Sequence, residues 1–292
     1  MKNFKKLALM GLTAVMSLSL LAACGGGNSG SAETPSGNTE TPSVENTETP
    51  AASGEFTTVE AGKLIMSTNA QFPPYEMVGD GEGYEGTGYE GIDVEIAYAI
   101  AQKLGLELVV DNMGFDAALQ AVQTGKSDIV MAGVTVTDDR LEVMDFSDTY
   151  ANGIQVVIVP ENSDIATIDD LEGKLIGCQM GTTGYIYCSD TPENGGYGED
   201  AVIPYDDGAA AVQALMNGQV DCVVIDNAPA QEYVKANPGL KILDTEFANE
   251  NYAIGFAKGN TALKDAVNAA LIELVEDGTV QSIIDKYIPA EG

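Results

Sequence analysis

One stretch of this chain occurs twice, and that repeat constrains the fold more than any other feature. Ala118-Leu-Gln-Ala-Val-Gln-Thr-Gly-Lys-Ser-Asp-Ile-Val-Met-Ala132 is similar to Ala211-Val-Gln-Ala-Leu-Met-Asn-Gly-Gln-Val-Asp-Cys-Val-Val-Ile225. Each copy reads as a helix, a glycine stop (Gly125, Gly218), a short link with an aspartate (Asp128, Asp221) and an apolar strand. The same alternation runs along the rest of the chain. Strands are expected at 63–68, 106–111, 128–132, 153–159, 175–178 and 221–226, and helices at 92–104, 115–124, 209–216, 229–236 and 263–276. Strands alternating with helices of this length imply parallel sheets, hence an α/β fold. A unit built twice implies two similar lobes. In open α/β sheets, ligands sit beyond the carboxyl ends of strands. The residues there are Gly133 to Thr137 in one copy and Asp226 in the other, which places them on opposite walls of a cleft.

The amino terminus reads as an export signal. Lys2, Lys5 and Lys6 precede an apolar run from Leu7 to Leu20, which is slightly short for a membrane-spanning helix. Leu21-Ala-Ala-Cys24 closes it and resembles the bacterial lipobox, which implies cleavage after residue 23 and lipidation of Cys24. From Gly25 to Glu60, Gly, Ser, Thr, Pro, Asn and Glu dominate and basic residues are absent. Such a segment cannot bury enough surface to offset its ordering entropy, so residues 24–60 are expected to be a disordered spacer.

The net charge of −32 becomes −35 once the three signal lysines are removed. This excludes nucleic acid as a partner, since its binding needs clustered Lys and Arg. The sequence has no His, so imidazole catalysis and His-ligated zinc are excluded; no metal or cofactor is expected. With Cys24 acylated, Cys178, Cys188 and Cys222 remain, none in CxxC spacing, and they are expected to be free and mostly buried.

Arg140 is the only arginine in the chain. A guanidinium grips a carboxylate through two parallel bonds, which an ammonium cannot do. Taken alone, Arg140 could equally form an ion pair with Asp138, Asp139 or Glu142. Its setting, Ala132-Gly-Val-Thr-Val-Thr-Asp-Asp-Arg140, runs from a strand end into a helix start, with Thr137 as the expected N-cap. Gly133, the Thr135 hydroxyl, the free amides and Arg140 can all face one anion there.

Six motifs then occur in order: Asn69-Ala-Gln-Phe-Pro-Pro-Tyr-Glu76, Gly91-Ile-Asp-Val-Glu-Ile-Ala97, Ala132 to Arg140, Asp145-Phe-Ser-Asp-Thr-Tyr150, Asp169-Asp-Leu-Glu-Gly-Lys174 and Gln179-Met-Gly-Thr182. Together they resemble the polar amino-acid binding proteins of ABC importers, solute-binding protein family 3, over about residues 63–287. The resemblance implies a two-lobed periplasmic-binding-protein (type II) fold, with lobe 1 at 61–150 plus 252–292 and lobe 2 at 155–247. Two chain crossings, near Ala151 to Ile154 and Ala248 to Tyr252, would form the hinge. It implies that Arg140 grips the ligand α-carboxylate with Thr135 and amides near Thr135 and Thr182-Thr183. Asp226, also a possible N-cap ahead of Pro229, would pair with the α-ammonium, with the Ala132-Gly133 strand end beside it. Phe72 and Phe115 would flank the ligand, Tyr75 would pack in lobe 1, and Asn69 and Gln179 would face the ligand side chain. Because both are neutral, an uncharged polar ligand is expected. The insertion from Gly79 to Tyr89 is expected to be a mobile surface loop from which Glu82, Glu85 or Glu90 could reach the cleft mouth.

The function so implied is that of an extracytoplasmic, lipid-anchored, monomeric receptor that delivers a free amino acid to an importer's permease and ATPase. An enzyme of the same fold and a sensory ligand-binding subunit are the alternatives. No catalytic residues are assigned.

Overall fold

The computed structural model describes residues 56–289; the export signal, Cys24 and most of the spacer lie outside them. The first strand, β1 (Lys63–Thr68), leads into a small antiparallel sheet of β2 (Gln71–Phe72), β3 (Glu76–Val78) and β4 (Tyr89–Glu90). Helix α1 (Ile92–Leu104) follows and ends on Gly105, whose left-handed φ of 69° closes its last turn. Then come β5 (Glu107–Asn112), α2 (Phe115–Gln123), β6 (Ile129–Val130) and α3 (Asp138–Val143). A long strand, β7 (Met144–Pro160), carries the chain onward to β8 (Ile176–Gln179), α4 (Thr183–Ser189), β9 (Val202–Tyr205), α5 (Gly208–Met216), β10 (Cys222–Asp226), α6 (Asn227–Ala236) and β11 (Leu240–Ile242). The return strand β12 (Ala248–Ala257) and helices α7 (Thr261–Glu276) and α8 (Thr279–Tyr287) complete it.

The main sheet has the order β5-β1-β6-β12-β7-β10-β8-β9, with β11 paired to β7. Pairing is parallel within β5-β1-β6 and within β10-β8-β9, as the alternation of elements predicts. Between them stand β12 and β7, which pair antiparallel to each other from Ala248–Gln155 to Ala257–Met144. Purely parallel sheets were the expectation; the two crossings instead bond to one another and join both halves into one mixed sheet. Strand β7 is far longer than the 153–159 run because residues 144–152 are mostly polar and only Met144 and Tyr150 among them are buried, which hides them from a search for continuous apolar runs.

The repeat is a repeat in structure. Gly125 and Gly218 adopt φ of 69° and 67°, the left-handed turn that favours glycine. Asp128 Oδ2 accepts the Ile65 N–H at 2.8 Å, and Asp221 Oδ2 accepts the Leu175 N–H at 2.8 Å. Each aspartate therefore ties the start of its own strand to the neighbouring one.

The buried face of α1 (Ile92, Ile96, Ile100) packs with Leu64, Met66, Ile129 and α7 residues Val267 and Leu271 in one core. A second core, around Val157, Ile176 and Val224, holds Cys178, Cys188 and Cys222 as free, buried thiols. The 79–90 insertion is a surface loop, as expected, that closes the β3–β4 hairpin; only its end, Tyr89–Glu90, is strand. Tyr84 packs edge-on against Tyr98 at 5.4 Å and lies beneath Lys286, so the insertion is fastened to α1 and α8. Glu82, Glu85 and Glu90 do not reach the cavity described next.

Candidate functional site

A cavity lies between the two halves. All eleven residues singled out in the sequence line it: Asn69, Phe72, Phe115, Ala132, Gly133, Thr135, Arg140, Gln179, Thr182, Thr183 and Asp226. A twelfth, Glu76, was quoted in a motif but assigned no role.

Arg140 is delivered by α3. The Thr137 hydroxyl caps that helix by accepting the Arg140 N–H at 3.2 Å, as expected. The guanidinium turns inward rather than toward Asp138, Asp139 or Glu142. It is 8% exposed, donates to Thr135 O at 2.8 Å and to Gly181 O at 3.2 Å, and lies 5.5 Å from the Phe115 ring centroid. Burial lowers its proton affinity, and the charges of Glu250, Asp116 and Asp226 oppose that shift. The Gly181 contact reaches the β8–α4 loop, so Arg140 touches both halves.

Phe72 stacks on Tyr75 at 5.9 Å, and Tyr75 packs edge-on against Tyr252. Gly133 sits beneath Phe72 with φ of 55°; a Cβ there would lie 2.9 Å from the ring, so glycine is required by both space and conformation. Its N–H reaches Asp93 Oδ2 at 3.0 Å. From the other half, Gln179 donates to Asn69 Oδ1 at 2.9 Å, while Asn69 donates to Met113 O. Thr182 caps α4, and Thr183 is buried behind it.

Asp226 is the N-cap residue of α6, but its side chain makes no capping bond. Its carboxylate accepts from Gln155 Nε2 at 2.8 Å and from the Tyr252 hydroxyl instead. Burial first, and then the Glu250 charge, pushes its pKa well above the carboxylate range. Glu76 is fully buried; no amide or hydroxyl bonds its oxygens, and its hydrogen-bonding neighbour is the buried Asp93 carboxyl. Burial, reinforced by the Asp93 charge, pushes its pKa well up too. Asp93 itself is raised to about 6 by burial, although the Gly133 N–H and the Tyr150 hydroxyl pull it back.

Sequence reasoning passed over Glu76, Gln155 and Glu250. Gln155 had a legible signal, as the only polar residue between Ile154 and Val159. Glu250 had none, because the charged neighbours that define its role are distant in the chain. The site combines an arginine able to grip an anion, a carboxylate opposite it, aromatic walls and a polar floor. That chemistry holds a small charged molecule.

Two α/β halves closed over a buried, charge-lined cavity define a two-lobed binding protein. The chain belongs to the bacterial extracellular solute-binding proteins, family 3, whose profile matches residues 64–290. It is 34% identical to a probable histidine-binding protein of Neisseria gonorrhoeae, over 79% of this chain and 85% of that protein. It is 32% identical to the arginine-binding extracellular protein ArtP of Bacillus subtilis, over 78% and 87%. Among solved structures, an ancestral arginine-binding protein bound to arginine superposes with a TM-score of 0.69 at 39% identity, covering 78% of this chain and 98% of that one.

Proposed function

We propose that this protein captures a free α-amino acid outside the cytoplasmic membrane and presents it to an ABC importer. The observation that carries this reading is the pairing of Arg140 and Asp226 on one closed cavity. A zwitterion supplies a carboxylate for the first and an ammonium for the second. Lobe 1 (61–150 plus 252–292) and lobe 2 (155–247) would part to admit the ligand and close over it, strengthening both charge contacts as water leaves. The lipid on Cys24 would keep the receptor beside its permease and ATPase, as a monomer; Cys24→Ser should release it from membranes.

For the ligand side chain, the neutral pair Asn69 and Gln179 favoured an uncharged polar group. Two observations now weigh toward a cationic one. Asn69 and Gln179 are bonded to each other, so much of their polar capacity is used. Glu76 lines the cavity and crowds with the buried carboxyls of Asp93 and Asp226, and a cationic group would relieve that crowding. Relatives named for binding histidine and arginine accord with this, while one named for binding cystine, a neutral double zwitterion, does not. A neutral amide ligand is the second reading, favoured by the Asn69–Gln179 pair. Calorimetry against the free amino acids distinguishes them: tightest binding of L-arginine, L-lysine or L-histidine supports the first, tightest binding of L-glutamine supports the second, and no heat with any amino acid overturns both.

A further inference from the structure

Glu250 lies on β12, opposite Gly153 of β7, between the two halves of the sheet. It is 4% exposed. Its Oε2 accepts from the Thr135 hydroxyl at 2.8 Å and from Gln155 Nε2 at 3.1 Å. The same Gln155 nitrogen donates to Asp226 Oδ2 at 2.8 Å. An amide nitrogen carries two hydrogens. One side-chain amide therefore bridges two buried carboxylates, and its contact with Thr183 Oγ1 at 3.4 Å is the longest of the three.

Two negative charges this close in a dry site repel strongly. The groups that face them offer little compensation. Tyr252 from β12 and Tyr187 from α4 are neutral hydroxyls, and Glu76 from β3, its own pKa raised by burial, supplies no positive charge. Arg140 from α3 is the one cation among the groups facing them, and its bonds go to the Thr135 and Gly181 carbonyls. Among the described residues, neither carboxylate forms an ion pair with a lysine.

We infer that Glu250 is a positioning residue whose carboxylate, tied to Asp226 through the Gln155 amide, makes the empty closed site hold a proton that an incoming ammonium expels. The inference rests on the amino-acid reading and deepens it. A ligand ammonium brings one positive charge to Asp226. The pair then carries both negative charges, and the proton departs to solvent. Binding becomes an exchange of one cation for another. Burial of Asp226, which favours its protonated form, is in keeping with this.

The test is calorimetry of the full chain with L-arginine, and separately with L-glutamine, at pH 6 to 7 in phosphate and in imidazole buffers. The two buffers differ in ionisation enthalpy, and neither amino acid titrates in that range, so the difference in heat counts protons released by the protein. The parent should release a substantial fraction of one proton with both ligands. Glu250→Gln should bind more weakly, by roughly tenfold, and release close to none, whereas Glu250→Asp should restore release. Glu76→Gln should still release a proton with L-glutamine. Loss of release in Glu76→Gln alone, or zero release by the parent with either ligand, overturns the inference while leaving the amino-acid reading intact. If Glu250→Gln fails to fold, the parent's count in the two buffers still decides. Absence of binding by every amino acid removes both.

Discussion

Gly181 and Asp116 meet across the cleft so closely that a Cβ on Gly181 would lie 1.7 Å from Asp116 Oδ1. Gly181 also has φ of 76°, which L side chains rarely adopt. A side chain at position 181 would oblige the exposed Asp116 carboxylate to swing aside and would itself be held at a disfavoured φ. Gly181→Ala should leave each half folded but hold the cleft ajar. The expected cost is on the order of 1–3 kcal/mol, as for overpacking a tight interior, or roughly ten- to hundredfold in affinity. Titration calorimetry reads the affinity, and small-angle scattering with and without L-arginine reads the closure; unchanged compaction on ligand addition would count against the contact as a closure limit.

Arg140→Lys tests the fork geometry rather than the charge. An ammonium keeps the sign but cannot reproduce two parallel bonds while also reaching Thr135 and Gly181. Charge-assisted bonds contribute roughly 1.5–3 kcal/mol each, so affinity for any amino acid should fall by at least about tenfold, and further for Arg140→Ala. The circular dichroism of both variants should match the parent. Retained affinity would make the lone arginine structural.

Glu76 gives a pH signature in the ligand-free protein. Its folded pKa lies well above that of the unfolded chain. Between those two values the folded state binds more protons than the unfolded one, so the stability this group contributes falls as pH rises. Glu76→Gln removes the dependence. Relative to the parent, the variant should therefore gain stability from about pH 5 to about pH 8, by roughly 1.4 kcal/mol for each pKa unit by which folding raises Glu76 within that range. Urea midpoints at the two pH values check this. A parent that gains on Glu76→Gln with rising pH would reverse the assignment.

The repeated turns offer a matched pair. Gly125→Ala and Gly218→Ala each force a Cβ into a left-handed turn where nothing lies within 4 Å, so only the conformation is penalised. Each should cost about 1–2 kcal/mol. Near-equal shifts in denaturant midpoint are expected, because the two turns are built alike.

Much of this was readable in advance, for a physical reason. Helix α1 was placed to the residue because its apolar period and Gly105 are local signals, and the eleven cavity residues were traced by motif and by the ends of the repeated units. What escaped depends on distant neighbours. Asp226 resembled a helix cap in sequence, but Gln155 and Tyr252, both remote in the chain, claim its oxygens. Glu76 stood in the sequence only as the last residue of a motif, and the elements that enclose it lie far along the chain. The 79–90 insertion looked loose because Gly and Glu dominate it, yet Tyr84 finds Tyr98 and Lys286 on other helices.

The pairing of β7 with β12 has one further consequence. Two separate ribbons would let the halves twist, shear and rock independently. Here the ribbons are laced together along Ala248 to Tyr252 and Gln155 to Ala151, with irregular register only just beyond, at Tyr252/Ala253 and Ala253/Gly255. A laced double strand bends easily across its flat face and resists the other motions. Closure by such a hinge should therefore follow one axis, and one interatomic distance across the mouth should report it.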